Sequence, residues 1–509
     1  MPRIILHCDL NNFYASVECL RDPALKNMPL IVAGDPENRH GVVLAKNDIA
    51  KAAGIKTGDT VWEARQKIPG LVAVKPQFDR YMHFSKKAKE IYNRYTPLVE
   101  PFGADECWLD YTGCEEQEVR KNEELGIRNT DVVSASASSR PAEQERRMNG
   151  VVREQKPEST QPIVGADALI GSHLTNNVRP GGPHGSAAPT GNSVNYPSDI
   201  PHSSLLISHS ISSAASFAYA KEAADEIRAA LKNELGLTAS VGVSFNKIFA
   251  KLGSDLKKPD ATTVISPENF KSVVWPLPVG ELFMVGRKTA EKLIKCNIRN
   301  IGDLATADET VLKEKFGIVG VKLKNAAAGF DDEPVREAVS SHQNKSYGHG
   351  MTAKRDICDL ADLSALVYYL SDRIAARLRH GDVRGFGIAI DLRSNELRHV
   401  AKQCTLPEAV CSSNEIAAAA TDLAKTLWNG SPPLRTVTVS VFDLIHGGFG
   451  QASMFDTSLG GKKKADSLDL AVEKIRRKYG ATSILRADLI ERDFIYDKTD
   501  DEDFLPFQR

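Results

Sequence analysis

Apolar residues crowd the start of the chain. Ile4-Ile5-Leu6-His7-Cys8 runs without alternation into Asp9 and Leu10, which predicts a buried strand over 1–10. A helix is expected from Asn11 or Asn12, either of which is a reasonable cap. Pro29–Ala33 and Gly41–Ala45 read as short strands, followed by a helix from Asn47 that Gly54 ends. Thr60–Lys67 predicts another helix, and Leu71–Val74 a strand. Over 80–96, Tyr81, Phe84, Ala88, Ile91, Tyr92 and Tyr95 recur at helical spacing. That stripe is expected to be core rather than a stacking face for bases.

The pattern then lapses. From Glu115 to Ser213, Ser, Asn, Thr, Gly and Pro replace apolar periodicity, and a loop of this length without structure inside a domain is expected to be a disordered insert. Periodicity resumes at Ala214 with a helix through Ala223–Arg228, then a strand over Thr238–Val243. Residues 277–340 carry two helix-glycine-helix patterns, Val285–Ala290 and Phe316–Lys322. There, glycine lets a turn approach a phosphate held by backbone N–H groups at the next helix start. Over 345–455 strands and helices alternate, Gly385–Arg393 and Leu434–Val441 being the clearest strands, with Arg384, Arg393, Arg398 and Lys402 clustered nearby.

At 509 residues several domains are expected. No run approaches a membrane span, and Asp9 follows the first apolar residues too soon for a secretory leader. The eight cysteines include no C-x-x-C pair, which fits a reducing, cytoplasmic setting rather than a disulfide frame or zinc site. The net charge of −1 means that any phosphate-binding charge must be concentrated locally.

The chemistry centres on acids beside apolar runs. Phe102-Gly103-Ala104-Asp105-Glu106-Cys107-Trp108-Leu109-Asp110 places two adjacent carboxylates in one short segment. Neighbours on a strand point to opposite faces, so both reach one site only across a turn or bulge. Asp9 ends the first apolar run. Buried carboxylates need a positive partner, and a hard divalent cation, Mg²⁺ above all, supplies one while keeping positions open for phosphate.

Three segments in order, Asp9–Glu18, Glu100–Asp110 and Ser240–Pro259, resemble the signatures of Y-family translesion DNA polymerases of the DinB-like, polymerase IV type. The resemblance covers roughly 1–114 and 216–456. It implies an α+β right-hand polymerase: an antiparallel-sheet palm (1–10 and 80–276, interrupted by the insert 115–213) and small fingers (11–79). A helix-hairpin-helix thumb (277–340), an α/β little finger (341–455) and an accessory tail (456–509) complete it. It also implies low-fidelity, template-directed DNA synthesis past damaged bases by two Mg²⁺ ions, with Asp9, Asp105 and Glu106 catalytic and the Leu10 carbonyl a further ligand. Tyr14 matches the ring that excludes a 2′-hydroxyl, Phe13 would pack beneath the same sugar, and Lys258 matches the lysine that grips the triphosphate. Where many relatives have Thr, Tyr and Arg in the fingers, this chain has Ala45, Asp48 and Lys51. Lys51 therefore remains to supply charge, as a point donor without Arg's fork, and Lys46 is expected to compensate. Gly286, Gly317, Gly320, Arg384 and Arg393 are the expected contacts to primer-template DNA. Gln451-Ala452-Ser453-Met454-Phe455 resembles the peptide that docks bacterial sliding clamps, with Gln451, Met454 and Phe455 as anchors. Deoxynucleoside triphosphates are the expected substrates, and the chain is expected to act as a monomer away from membranes.

Overall fold

Six consecutive buried residues make Ile5–Leu10 (β1) the central strand of a five-stranded sheet. Val99–Pro101 (β5) and Glu106–Asp110 (β6) lie on one side of it. Ala239–Ser244 (β7) and Thr262–Ile265 (β8) lie on the other, in the order β5-β6-β1-β7-β8. All pairs are antiparallel except the last, where β8 runs parallel to β7. The computed structural model describes residues 3–34, 41–114, 213–336, 344–446, 459–480 and 483–490. The expected insert, apart from Ser213, and the segment Gln451–Phe455 lie outside the described residues.

Alternation along β1 gives its sheet two different faces. Leu6, Cys8 and Leu10 join Tyr81, Tyr92 and Leu109 in one large core, under the helices Phe13–Arg21 (α1), Phe78–Tyr92 (α4) and Ser213–Ala230 (α5). The stripe on α4 is thus core at Tyr81, Ala88, Ile91 and Tyr92. Ile5 and Trp108 face the other way, against Ala250 of the helix Lys247–Leu256 (α6). Gly242 of β7 sets how close α6 lies: a Cβ there would stand 1.9 Å from the Ala250 carbonyl oxygen, so only glycine admits the helix at this depth.

A smaller three-stranded sheet runs in the order Val43–Lys46 (β3), Leu30–Ala33 (β2) and Val72–Val74 (β4). Its core is Ile31, Val43, Ala50, Ile55, Val61 and Ala64. The short helices Asp48–Ala52 (α2) and Val61–Lys67 (α3) cover it, capped by Asn47 and by the reciprocal Thr60–Glu63 box. Asn12 departs from the expected cap. It precedes α1 in a left-handed conformation, makes no side-chain cap bond, and donates its amide instead to Asp48 Oδ1 at 2.9 Å.

Four helices follow: Arg287–Lys295 (α7), Ile301–Thr306 (α8), Glu309–Phe316 (α9) and Ile318–Ala327 (α10). They close over Leu293, Ile301, Leu304, Leu312 and Leu323. The last body is a four-stranded antiparallel sheet, His399–Val410 (β11), Val383–Ser394 (β10), Leu434–His446 (β12) and Ser346–Ile357 (β9) in that order. The helices Leu360–His380 (α11) and Ser413–Leu427 (α12) pack on it around Leu366, Leu370, Ile390, Val439 and Ile416. A further helix, Leu459–Tyr479 (α13), is tied to α11 by Arg379 to Glu473 at 3.0 Å and by Arg476 to Asp372 at 2.8 Å.

Candidate active site

Antiparallel register puts Asp9 of β1 directly opposite Glu106 of β6. Asp105 precedes β6 in a bend, and its carbonyl accepts the Leu10 N–H at 3.0 Å. The turn anticipated between the two adjacent acids is therefore present, and three carboxylates converge on one end of the sheet. All are largely withdrawn from water, and the charges show it. Burial pushes the Asp105 carboxyl up to about 7, the Asp9 and Glu106 charges adding to the effect. Burial also raises Asp9, against the pull of Lys258. Glu106 moves down to about 2, because the His7 contact and the Lys251 ammonium outweigh its burial.

Two lysines hold the outer acids. Lys258 Nζ lies 2.7 Å from Asp9 Oδ2 and 2.9 Å from Asp255 Oδ1; burial alone would lower its pKa, but these two carboxylates raise it. Lys251 pairs with Glu106 Oε2 and sits over the rings of Phe102 and Phe283, 5.1 and 5.7 Å from their centroids. Arg228 fixes the loop that follows Lys258, bonding the Asp260 carboxylate through Nη2 at 2.8 Å. Among the described residues no three His, Cys, Asp or Glu side chains are gathered as a ready-made metal cage. The donor set nevertheless fits a hard divalent cation. It consists of carboxylate oxygens, and Asp105 carries a charge conflict that such a cation relieves.

Tyr14, on the first turn of α1, stands beside this centre. Burial and the Asp105 charge push its hydroxyl up to about 12. Phe13 is not a surface residue: it is buried in the core with its ring 5.5 Å from that of Tyr14, so it can support Tyr14 but cannot itself offer a stacking face. Lys51 lies exposed on α2. Its charge is among the causes that lower Lys46, after burial, so the two form one basic patch.

The expected DNA contacts divide. Gly286 begins α7 with open space where a Cβ would stand, and Gly317, at φ 65°, is the single residue between α9 and α10. Gly320 has another reason to be glycine: a Cβ there would lie 2.6 Å from the Leu312 carbonyl, so it serves the packing of α10 on α9. Arg384 and Arg393 are half-buried on β10, on the side opposite Ile388, Ile390 and Leu392. Lys402 pairs in register with buried Ile390 and bonds Thr426 of α12 at 2.9 Å. The basic cluster read from the sequence is therefore split between two faces of the sheet.

Sequence reasoning missed Lys251, His7, Ser254 and the half-buried pair Lys247–Glu100, 2.9 Å apart. A signal was available. Lys247, Lys251 and Ser254 fall at intervals of four and three, one face of a helix aimed at strands that carry acids.

Comparison with known proteins agrees with this arrangement. The model of the impB/mucB/samB family matches residues 8–255, and that of its C-terminal domain residues 344–454. DNA polymerase IV of Acetivibrio thermocellus is 35% identical over 492 residues, covering 96% of this chain and 98% of that protein. DNA polymerase IV 1 of Bacillus subtilis is 30% identical over 493 residues, covering 96% and 94%. Among solved structures, a Y-family DNA polymerase chimera superposes with a TM-score of 0.61 at 18% identity, over 87% of this chain and 100% of its own, a likeness of fold. The chain belongs to the impB/mucB/samB family, the Y-family DNA polymerases of the DNA polymerase IV type.

Proposed function

We propose that this DNA polymerase is a low-fidelity enzyme that extends primers past damaged template bases. The observation that carries the reading is the meeting of Asp9, Asp105 and Glu106 at two adjacent strand ends. In this reading the five-stranded sheet is the palm, the three-stranded unit the fingers, the helices of 277–336 the thumb and the four-stranded sheet the little finger.

Asp9, Asp105, Glu106 and the Leu10 carbonyl would hold two Mg²⁺ ions. When bound, these lower the pKa of the primer 3′-hydroxyl and neutralise the triphosphate. The chain's own residues do the rest. Buried strand ends keep the carboxylates from drifting, because β1 is held in register by β6 on one side and β7 on the other. Lys258, now on Asp9, would grip the triphosphate, and Lys51 with Lys46 would supply charge from the fingers. Asp48 would repel phosphate, but its carboxylate is engaged by Asn12. Tyr14 excludes a ribose by overlap with its 2′-hydroxyl. Backbone N–H groups beside Gly286 and Gly317, with Arg384 and Arg393, would hold the duplex phosphates. Gln451, Met454 and Phe455 would dock a sliding clamp, and the polymerase would act as a monomer.

Single-nucleotide primer extension tests the reading, on an undamaged template and on one carrying an abasic site. Insertion opposite the abasic site, together with frequent misinsertion on the intact template, is expected. Arrest one base before the lesion, with accurate copying elsewhere, would contradict it.

A further inference from the structure

His7 lies in the middle of β1 with no exposed surface. It shares a face with Asp9, two residues on, and stands opposite Trp108, whose ring it meets edge-on at 5.3 Å. Burying an imidazole in a strand that could have carried Ile or Val is unfavourable unless both nitrogens are used. Nδ1 is 2.8 Å from Ser254 Oγ on α6. Nε2 makes no regular hydrogen bond, and what it faces, at 3.4 Å, is Glu106 Oε2.

A neutral His7 ring has two ways to place its one N–H. Ser254 Oγ has one proton and two neighbours, His7 Nδ1 and the Lys251 carbonyl at 2.7 Å. If the proton goes to the carbonyl, Nδ1 must be the donor, and the Nε2 lone pair then points at a carboxylate. If it goes to Nδ1, Nε2–H points at the carboxylate instead. The second arrangement gives the Glu106 carboxylate a donor, and its cost is an Oγ lone pair turned toward the Lys251 carbonyl. Lys251 and His7 then converge on the same oxygen of Glu106. Oε1 takes no bond among the described residues, so it is the oxygen left to the reacting centre.

We propose that His7 is a positioning residue for Glu106. Ser254 latches the ring from α6, and Nε2–H fixes Oε2 so that Oε1 is presented to the catalytic cation. This rests on the reading of Glu106 as a metal ligand. Groups that orient a ligand in this way commonly change metal affinity or activity by about 10–100-fold when removed.

The test uses the full chain with His7→Leu, His7→Gln, Ser254→Ala and Glu106→Gln. Three quantities are read: Mn²⁺ binding by electron paramagnetic resonance without DNA or nucleotide, kcat and nucleotide KM at saturating metal, and melting temperature. In His7→Leu the Mn²⁺ dissociation constant should rise about tenfold and kcat should fall, with KM moving less than about twofold. His7→Gln, whose amide can still donate toward Glu106, should recover most of both. Ser254→Ala should fall between them at an unchanged melting temperature. Wild-type Mn²⁺ affinity and kcat in a folded His7→Leu protein overturn the proposal, as does a Gln variant no better than Leu. If His7→Leu does not fold, Ser254→Ala decides by the same criteria. Glu106→Gln separates the two readings: if it keeps full Mn²⁺ affinity and extension, the assignment of Glu106 itself fails. If it loses both while His7→Leu does not, only the role of His7 fails.

Discussion

The ring of Tyr14 lies flat on that of Tyr81, 4.2 Å between centroids and 14° from parallel. Tyr81 is itself fixed, because its hydroxyl donates a 2.7 Å hydrogen bond to the buried Glu18 carboxylate. An aromatic stacked on an immobile ring cannot rotate aside cheaply, and a steric filter for sugars needs that rigidity. Tyr14→Ala should raise kcat/KM for a ribonucleotide relative to its deoxynucleotide by about tenfold or more, roughly 1.4 kcal/mol of lost discrimination. Tyr81→Leu should give a smaller change in the same direction. Paired steady-state assays with one ribo- and one deoxynucleotide read the ratio, and an unchanged ratio in Tyr14→Ala removes Tyr14 from the gate.

Asp105 makes the metal-free protein sensitive to pH. Its carboxyl titrates near 7 in the folded chain, far above the usual carboxylate range, through burial and then the charges of Asp9 and Glu106. A group raised on folding stabilises fully below its unfolded pKa, and that stability is lost as pH rises through the folded value. In the presence of a chelator the melting temperature should therefore fall as pH goes from about 5 to 8. Asp105→Asn should flatten that dependence and melt higher than wild type at pH 8. Equal pH profiles for the two proteins would refute the charge conflict.

Gly242→Ala should be severely destabilising. The new methyl meets the Ala250 carbonyl and the Ser254 nitrogen, backbone atoms that cannot rotate away, and forced overpacking costs about 1–3 kcal/mol or more. Because the shifted helix carries Lys251 and Ser254, extension activity should drop more steeply than the denaturation midpoint. Chemical denaturation and primer extension on the same samples check both.

The proposed recruitment rests on a separate segment. Met454→Ala with Phe455→Ala should remove binding to the cognate sliding clamp, each anchor being worth about 1.5–3 kcal/mol when buried. Distributive extension on short primers should be unaffected. Titration by fluorescence anisotropy reads the affinity, and equal values for wild type and double mutant would leave the segment without this role.

Much of this fold was legible along the chain. The first buried strand, the capped helices at Asn47 and Thr60 and the core stripe on α4 follow from apolar spacing and cap residues, which are local properties. The acids at 9, 105 and 106 stood out because charge at the end of an apolar run is physically expensive. What stayed hidden depends on long-range packing. Lys251 and Ser254 face Glu106 and His7 only because Gly242 lets α6 lie close to the sheet. Lys402 and Arg393 part company because Lys402 pairs with Ile390, and successive residues along β10 alternate faces, which turns Arg393 the other way. Asn12 gives up its capping role for Asp48, a contact 36 residues away that no local pattern announces.

Primer extension by Asp105→Ala and Glu106→Ala, beside a DNA-binding titration of each, tests the central claim most directly. The account predicts that both variants bind primer-template within a few-fold of wild type, since the duplex is held elsewhere, and that neither extends it measurably. Losing a catalytic metal ligand should exceed by far the ~1.4 kcal/mol of a tenfold effect. Extension above about 10% of wild type in either variant, with normal DNA binding, would contradict the assignment of these carboxylates as the catalytic centre.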